Sequence, residues 1–464
     1  MFVALSLAAS VLQLGACAPA PAPSAPSGPP VILISFDTCR ADVFGALTGE
    51  EPSLTPRLDE LARDSVIFEN AFVQAPHTLP SHMSMFTGVY PDTHGVQPEL
   101  DPLPDSLATL PELLDEAGYH TIGIVTSEWL KPDFGFGRGF DDYDRLPHRP
   151  TYAERVNAAA LRKLRQHDGG FFLFLHYYDL HSDFDQGSGN KFPYYSHPEY
   201  REGLEVSSDG SEFCDDDGNC NTRYLMAADR ERRELPRSEI DTIHALYRAA
   251  VPQLDSEMGS FFDELKSRGL YEDAVIIVTS DHGEEFREHG RFIHSQPYDE
   301  TVGVPLFIKF PGSWGAGTRV SEVVETVDIP ATLLDYLDLE VPEYFQGETL
   351  LGLVENEGDR GKEAVLSQDT IQKARYGLRT DDVKLILDFE GSRRELYDLR
   401  EDPAEKTNLA TERAELAEEL ERRLKRLVGA NRRLHEDFAQ GEGPESDVLS
   451  PEERKRLEAL GYVN

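Results

Sequence analysis

The chain has 464 residues, and its 85 acidic and 45 basic side chains leave a formal charge of −40. A surface of that sign repels phosphodiester backbones and anionic lipid, which excludes a general nucleic-acid binder and a basic membrane-surface protein. With 39% hydrophobic residues the chain can bury a large core, and its four cysteines are too few for a disulfide scaffold.

Phe2 to Leu14 form an apolar run too short for a permanent bilayer span, ending in Leu14-Gly15-Ala16-Cys17. This reads as an export signal. Small residues just before a cysteine resemble the lipobox of bacterial lipoproteins. The expectation is lipidation at Cys17, a place in the bacterial periplasm or outer membrane, and membrane contact only through the lipid; a plainly cleaved signal peptide is the alternative. Residues 18–30, APAPAPSAPSGPP, have the composition of a tether.

VILISF (31–36) is a continuous apolar run ending in Asp37, the pattern of a buried parallel strand that delivers a carboxylate at its C-terminal end, where open α/β sheets place their chemistry. Cys39 beside it reads as a buried thiol. Arg40 is either an anion contact or a structural ion pair. After a helical pattern over Leu54 to Arg63 comes APHTLPSHMSMFTG (75–88). There Thr78 precedes a helix start at Pro80-Ser81 and serves either as an activated hydroxyl or as a cap. His82, one turn on, is expected to face the same opening and to contact an anionic oxygen.

A helix over Leu107 to Ala117, a strand over His120 to Val125 and a helix over Tyr152 to Arg165 follow. The strand FFLFL (171–175) runs into HYYDLH, so His176, Asp179 and His181 become candidates either for a second metal site or for hydrogen bonding and protonating a transferring group. Residues 183–238 are polar and acidic with weak periodicity, an insertion over the sheet edge or the site mouth. Within it Cys214 and Cys220 flank DDDGN. The spacing suits a small disulfide ring, and the acidic loop alternatively a calcium site, although the closing bidentate Glu of an EF-hand is missing.

A long helix over Glu239 to Ser267 leads to VIIVTSDHGEEF. This second apolar strand, Ala274 to Thr279, ends in the adjacent metal-ligand types Asp281 and His282, with His294 twelve positions later. Two strand ends then offer carboxylate and imidazole to one divalent cation, with the Thr78 oxygen as a further ligand. A strand over Val304 to Phe310 closes the series. Strands alternating with helices predict a mostly parallel α/β sheet flanked by helices. Three hairpin-like strands (Ala374 to Thr380, Val383 to Phe389, Arg394 to Leu399) and a charged helix from Ala404 to about Leu434 predict a small C-terminal α+β subdomain. The division is thus 31–358 and 359–464.

Taken together, ISFDTCRAD, HTLPSHMSMFTGVYPDTHGV, TSDHGEEFREHG, VPLFIKFPG and ELYDLREDPAEKTNLA resemble the sulfatase family of the alkaline phosphatase superfamily. The resemblance implies an alkaline-phosphatase-like sandwich. It also implies a divalent cation (calcium, zinc or manganese) held by Asp37, Asp281 and His282, and cleavage of a sulfate, phosphate or phosphonate ester through a covalent intermediate on Thr78. His181 and His294 would be the leaving-group and oxyanion contacts.

The chain departs from the family pattern at several places. Thr78 stands where formylglycine-forming sulfatases have Cys or Ser, so no formylglycine is expected; His82 replaces the arginine of that motif, and Thr38 a second aspartate. TSEWLKP replaces a segment that supplies Lys and His to the sulfate, with Lys131 a partial substitute. The expected partner is a small or glycan- or lipid-linked anionic ester. The alternatives are an inactive anion-binding lipoprotein and a phosphoethanolamine-type transferase.

Overall fold

The computed structural model describes residues 28–97, 102–147, 152–166, 170–183, 189–355, 365–368, 374–391 and 393–439. The expected signal peptide through Cys17, most of the tether and the 358/359 boundary lie outside them. Strand β1 (Val31–Phe36) is buried at every residue. Its alternate side chains feed two separate cores, Val31 and Leu33 on one face and Ile32 and Ile34 on the other. A strand covered on both faces has no solvent side to pattern, hence its unbroken apolar run.

Around it an eight-stranded sheet runs in the order β10-β2-β9-β6-β1-β5-β3-β4. The other strands are β2 (Val66–Phe72), β3 (His120–Val125), β4 (Asp142–Arg145), β5 (Phe171–Tyr177), β6 (Val275–Ser280), β9 (Gly303–Lys309) and β10 (Arg319–Glu325). β1 pairs in parallel with both β5 and β6, and only β9 runs antiparallel to its neighbours. The mostly parallel sheet expected from the sequence is therefore present.

Three strands of this sheet were not anticipated: β2, β4 and β10. β2 is broken by the partly exposed Glu69-Asn70 step, where its register against β9 shifts, and β4 and β10 are sheet edges with mixed burial. Helices cover both faces. α1 (Pro56–Arg63), α3 (Ala153–Lys163) and α5 (Arg237–Ser267) pack on the Ile32 side, and α2 (Thr78–Thr87) on the Val31 side through Leu79, Met83 and Phe86.

The insertion is less polar in its packing than in its composition. Phe192, Tyr194 and Phe213 are buried in the main core, and helix α4 (Thr222–Arg230) closes the segment. Cys214 and Cys220 are joined in a disulfide. A short ribbon, β7 (Glu285–Phe286) with β8 (Phe292–Ile293), leaves the end of β6. The C-terminal subdomain is an antiparallel sheet of β11 (Val365–Gln368), β12 (Arg375–Arg379), β13 (Val383–Asp388) and β14 (Arg394–Asp398).

Helix α6 (Ala414–Ala439) lays Ala417, Leu420, Leu424 and Val428 on that sheet. It begins ten residues later than expected. Asp402 accepts the Thr407 amide and Asn408 the amides of Leu396 and Ala410, so local side chains hold this stretch as turns. No helix among the described residues is long and apolar enough to cross a membrane.

Candidate active site

Adjacent parallel strands β1 and β6 end side by side. The Asp37 amide donates to Tyr177 O and the Asp281 amide to Phe36 O, so the sheet ladder continues into both aspartates and presents both carboxyl groups at one edge. Thr38 takes a left-handed φ of 58°. Its amide reaches Asp281 Oδ1 at 3.2 Å and its hydroxyl turns back to Asp37 O, so the residue in place of a second aspartate serves the backbone.

Thr78 is the first residue of α2, which therefore starts two positions before the expected Pro80. The cap is His77, whose Nδ1 accepts the Leu79 amide, and this frees the Thr78 hydroxyl to donate to Asp37 Oδ2 at 3.3 Å.

From the other side His176 Nε2 approaches Asp37 Oδ2 at 3.2 Å, with Nδ1 on Thr126 Oγ1 at 3.0 Å. His282 Nδ1 faces the Gly283 carbonyl at 2.9 Å and must donate there. That leaves a bare Nε2 aimed at Asp281 Oδ2 (3.5 Å) and Asp37 Oδ1 (3.8 Å).

The residues fit a cation. Asp37 Oδ1, Asp281 Oδ2 and His282 Nε2 are buried without a hydrogen-bond partner, and the ligand atoms of Asp37, Asp281 and His282 lie within 4.8 Å of one another. Burial and the charge of Asp37 push the Asp281 carboxyl well up. For Asp37, burial opposes ionisation, but the His176 hydrogen bond and the imidazoles of His181 and His282 hold its pKa well below the usual carboxylate range. Burial drives the His282 pKa well down, which keeps its lone pair available. Lone pairs facing buried carboxylates repel unless a cation lies between them. The hard oxygens and imidazole match zinc, manganese or calcium more closely than a soft ion.

Several expectations need correction. His82 lies beneath the site, its Nδ1 3.6 Å from Asp281 Oδ2, rather than facing an opening. It is fully buried, donates from Nδ1 to Thr78 O (2.8 Å) and accepts from Ser35 Oγ (2.9 Å), and burial lowers its pKa to about 3. Arg40 is the structural ion pair: its guanidinium binds Asp42 at 2.7 Å, Glu288 at 2.8 Å and Glu284 O at 2.9 Å, which leaves it turned away from substrate. Asp179 takes the Ala153 amide at 3.0 Å, capping α3, with burial raising its pKa to about 7; it is not part of a metal set. Lys131 is buried, its ammonium 5.9 Å from the Phe134 ring centre. Its segment reaches the site through Trp129, which packs edge-on against His77.

His181 and His294 do come together, with ring centres 5.4 Å apart, and His294 lies 4.1 Å from His282. Each is held by a carboxylate that sequence reasoning missed: Asp183 Oδ1 at 2.7 Å from His181 Nδ1, and Glu284 Oε2 at 2.7 Å from His294 Nδ1. Burial disfavours the His181 imidazolium, but Asp183 outweighs it and the pKa rises to about 9. Tyr194 of the insertion donates to Glu284 Oε1 at 2.5 Å. The H-x-D spacing from His181 to Asp183 was the available signal.

A further acidic and histidine group, Glu285, His289 and Glu300, fits a metal less well. His289 gives Nδ1 to Glu300 at 2.5 Å and Nε2 to Glu405 O at 3.1 Å, and it reads as an imidazolium in an ion pair.

A parallel α/β sheet with carboxylates and imidazoles gathered at its strand ends defines an alkaline-phosphatase-like ester hydrolase. The sulfatase family model matches residues 29–339, and the model for the C-terminal region of N-sulphoglucosamine sulphohydrolase matches residues 287–430. The chain belongs to the sulfatase family and is, by that membership, a sulfuric or phosphoric ester hydrolase. An arylsulfatase of Clostridium perfringens is 23% identical over 451 residues, 82% of this chain and 90% of that one. An N-acetylglucosamine-6-O-sulfatase of Bacteroides thetaiotaomicron is 22% identical, covering 87% and 86%. Among solved structures, a phosphonate monoester hydrolase of Agrobacterium radiobacter superposes with a TM-score of 0.68 at 21% identity, over 87% of this chain and 96% of that one.

Proposed function

We propose that the protein is an exported, metal-dependent hydrolase of anionic esters carried on a saccharide, the carrier named for its Bacteroides relative, and that it uses Thr78 as its nucleophile. The observation that carries this reading is the Thr78 hydroxyl at the first position of a helix, 3.3 Å from Asp37 and amid the partnerless ligand atoms. Asp37, Asp281 and His282, with Thr78 oxygen, would hold a divalent ion that acts as a Lewis acid and lowers the pKa of the hydroxyl. The helix N-terminus favours the anionic group beside it.

The chain's own residues account for the remaining steps. Thr78 Oγ1 passes its proton along its hydrogen bond to the Asp37–Asp281 carboxylate pair and bonds to sulfur or phosphorus as the ester oxygen leaves. His181, paired to Asp183, is an imidazolium at neutral pH and gives that oxygen its proton. His294, oriented by Glu284, is placed to contact a non-bridging oxygen of the transferring group. Water then attacks the same centre, His181 accepts its proton, and Thr78 leaves, recovering its own proton from the Asp37–Asp281 pair.

Threonine has no second oxygen on Cβ, so a sulfated Thr78 has no elimination route, whereas a phosphorylated one opens by attack at phosphorus. The reading therefore favours phosphate or phosphonate esters over sulfate. The Leu14–Cys17 motif supports export with a lipid anchor. The test is turnover by the protein and its Thr78→Ala variant on matched aryl sulfate, phosphate monoester, phosphodiester and phosphonate, with each candidate metal. A Thr78-dependent preference for phosphorus is expected, and undiminished turnover by the variant defeats the assignment.

A further inference from the structure

The β7–β8 ribbon has two ends. Its base carries Glu284 and His294; its turn, three residues further and at most about 10 Å away, carries Arg287 and Arg291. That turn faces the end of α4, where Arg230, Arg232 and Arg233 lie, and the two segments enclose a cavity of about 770 Å3. Five guanidinium groups line it against two carboxylates, Asp229 and Glu234, in a chain whose formal charge is −40.

Two of the arginines form the frame. Arg287 binds Asp229 at 2.9 Å and Gly290 O at 2.9 Å, and Arg233 binds Glu231 at 2.6 Å and Asp215 at 3.3 Å beside the Cys214–Cys220 ring. The side chains of Arg230, Arg232 and Arg291 make no hydrogen bond or ion pair among the described residues. Clustered guanidinium groups repel one another, and ionic neighbours normally relieve them. Arg232 (φ 52°) and Arg287 (φ 68°) both occupy the left-handed region as turn residues: Arg232 follows α4, where its amide bonds to Asp229 O and that of Arg233 to Ala228 O, and Arg287 opens the ribbon turn, its amide on Arg291 O.

We propose that this cavity binds an oxyanion-bearing saccharide, a sulfated or carboxylated sugar unit, at a site separate from the ester-cleaving centre. The anion follows from the arginines, whose planar forks match sulfate and carboxylate oxygens. The saccharide rests on the functional reading above. The volume lies within the ordinary range for small-ligand sites of about 300–1,000 Å3. Because one ribbon carries both the cavity arginines and His294, an occupant here also steadies the turn beyond the catalytic histidine.

The test is fluorescence anisotropy with a fluorescein-labelled disulfated disaccharide. It uses the full chain carrying Thr78→Ala, so that nothing is turned over, with and without Arg230→Ser, Arg232→Ser and Arg291→Ser. The triple substitution is expected to weaken binding at least about tenfold, the worth of one charge-assisted hydrogen bond. With Thr78 restored, it should leave turnover of a small aryl ester unchanged. Should the triple variant fail to fold, Arg230→Ser alone, at an exposed position, is expected to weaken binding about threefold. Unchanged affinity overturns the proposal, as does equal, arginine-dependent binding of a hexaglutamate peptide. Arginine-dependent binding without Thr78-dependent turnover would defeat the functional reading alone, and the reverse pattern would defeat this inference alone.

Discussion

Glu284 Oε2 lies 2.7 Å from His294 Nδ1, and the other oxygen of the same carboxylate accepts the Tyr194 hydroxyl at 2.5 Å. The carboxylate fixes the proton of His294 on Nδ1 and orients the ring toward His282 and His181. Tyr194 comes from the insertion, so a segment outside the central sheet holds the carboxylate partner of an imidazole at the candidate site.

Glu284→Gln is therefore expected to lower kcat by about 10–100-fold, the usual cost of losing a ligand-orienting partner, with little change in KM. Tyr194→Phe should cost less, because only one of the two bonds to the carboxylate is removed. Steady-state kinetics on the preferred ester checks both. An unchanged kcat in Glu284→Gln would show that His294 does not depend on its carboxylate.

Asp281→Asn removes one of two buried carboxylates whose oxygens face the bare His282 nitrogen. Metal content measured on the purified protein should fall below one equivalent. The parent protein should lose thermal stability on chelation, by about 2.7 kcal/mol if the ion had been present at a hundred times its Kd. The variant's melting curve should then be nearly indifferent to chelator, and a parent-like chelator shift in Asp281→Asn would argue against this ligand set.

The contrast between legible and illegible residues has a physical origin. Asp37 and Asp281 could be read because VILISF and VIIVTS are buried on both faces and each run stops at the first carboxylate. Thr78 could be read from the helix-start chemistry around it. Glu284, Asp183 and Tyr194 could not be picked out in a chain with 85 acidic side chains, and the Tyr194–Glu284 contact spans 90 positions. For His82 and Arg40 the residue type was right for an anion but the direction was not. His82 folds back onto the carbonyl of Thr78 within its own helix turn, and Arg40 is drawn to Asp42 and Glu288. Side-chain direction depends on packing, which periodicity does not report. The same limit hid β2, whose pattern Glu69 and Asn70 interrupt.

The Cys214–Cys220 bond closes a short ring that carries Asp215, the partner of Arg233. Closing a loop of this size restrains the unfolded chain by about 2 kcal/mol. Cys214→Ser is expected to lower stability by that order in non-reducing denaturant titrations and by almost nothing when both proteins are measured in excess dithiothreitol. An equal loss in reductant would trace the effect to packing of the sulfur rather than to the bond.

Asp255, buried in α5, accepts the amides of Arg57 and Leu58 at the start of α1, at 3.1 and 2.8 Å. Burial raises its pKa from 3.8 to about 6 in spite of those bonds. The sign follows from proton counting. Between these two values the folded chain holds a proton that the unfolded chain has lost, so this residue makes stability fall as pH rises from about 4 to 6. Two pH units correspond to about 3 kcal/mol as an upper bound. Asp255→Asn keeps one acceptor and removes the titration. Denaturant midpoints at pH 4, 5, 6 and 7 should place the variant below the parent at pH 4, where it has lost only a hydrogen bond, and should close or reverse the gap by pH 7. A constant offset across the series would show that the Asp255 carboxyl titrates alike in the folded and unfolded chains.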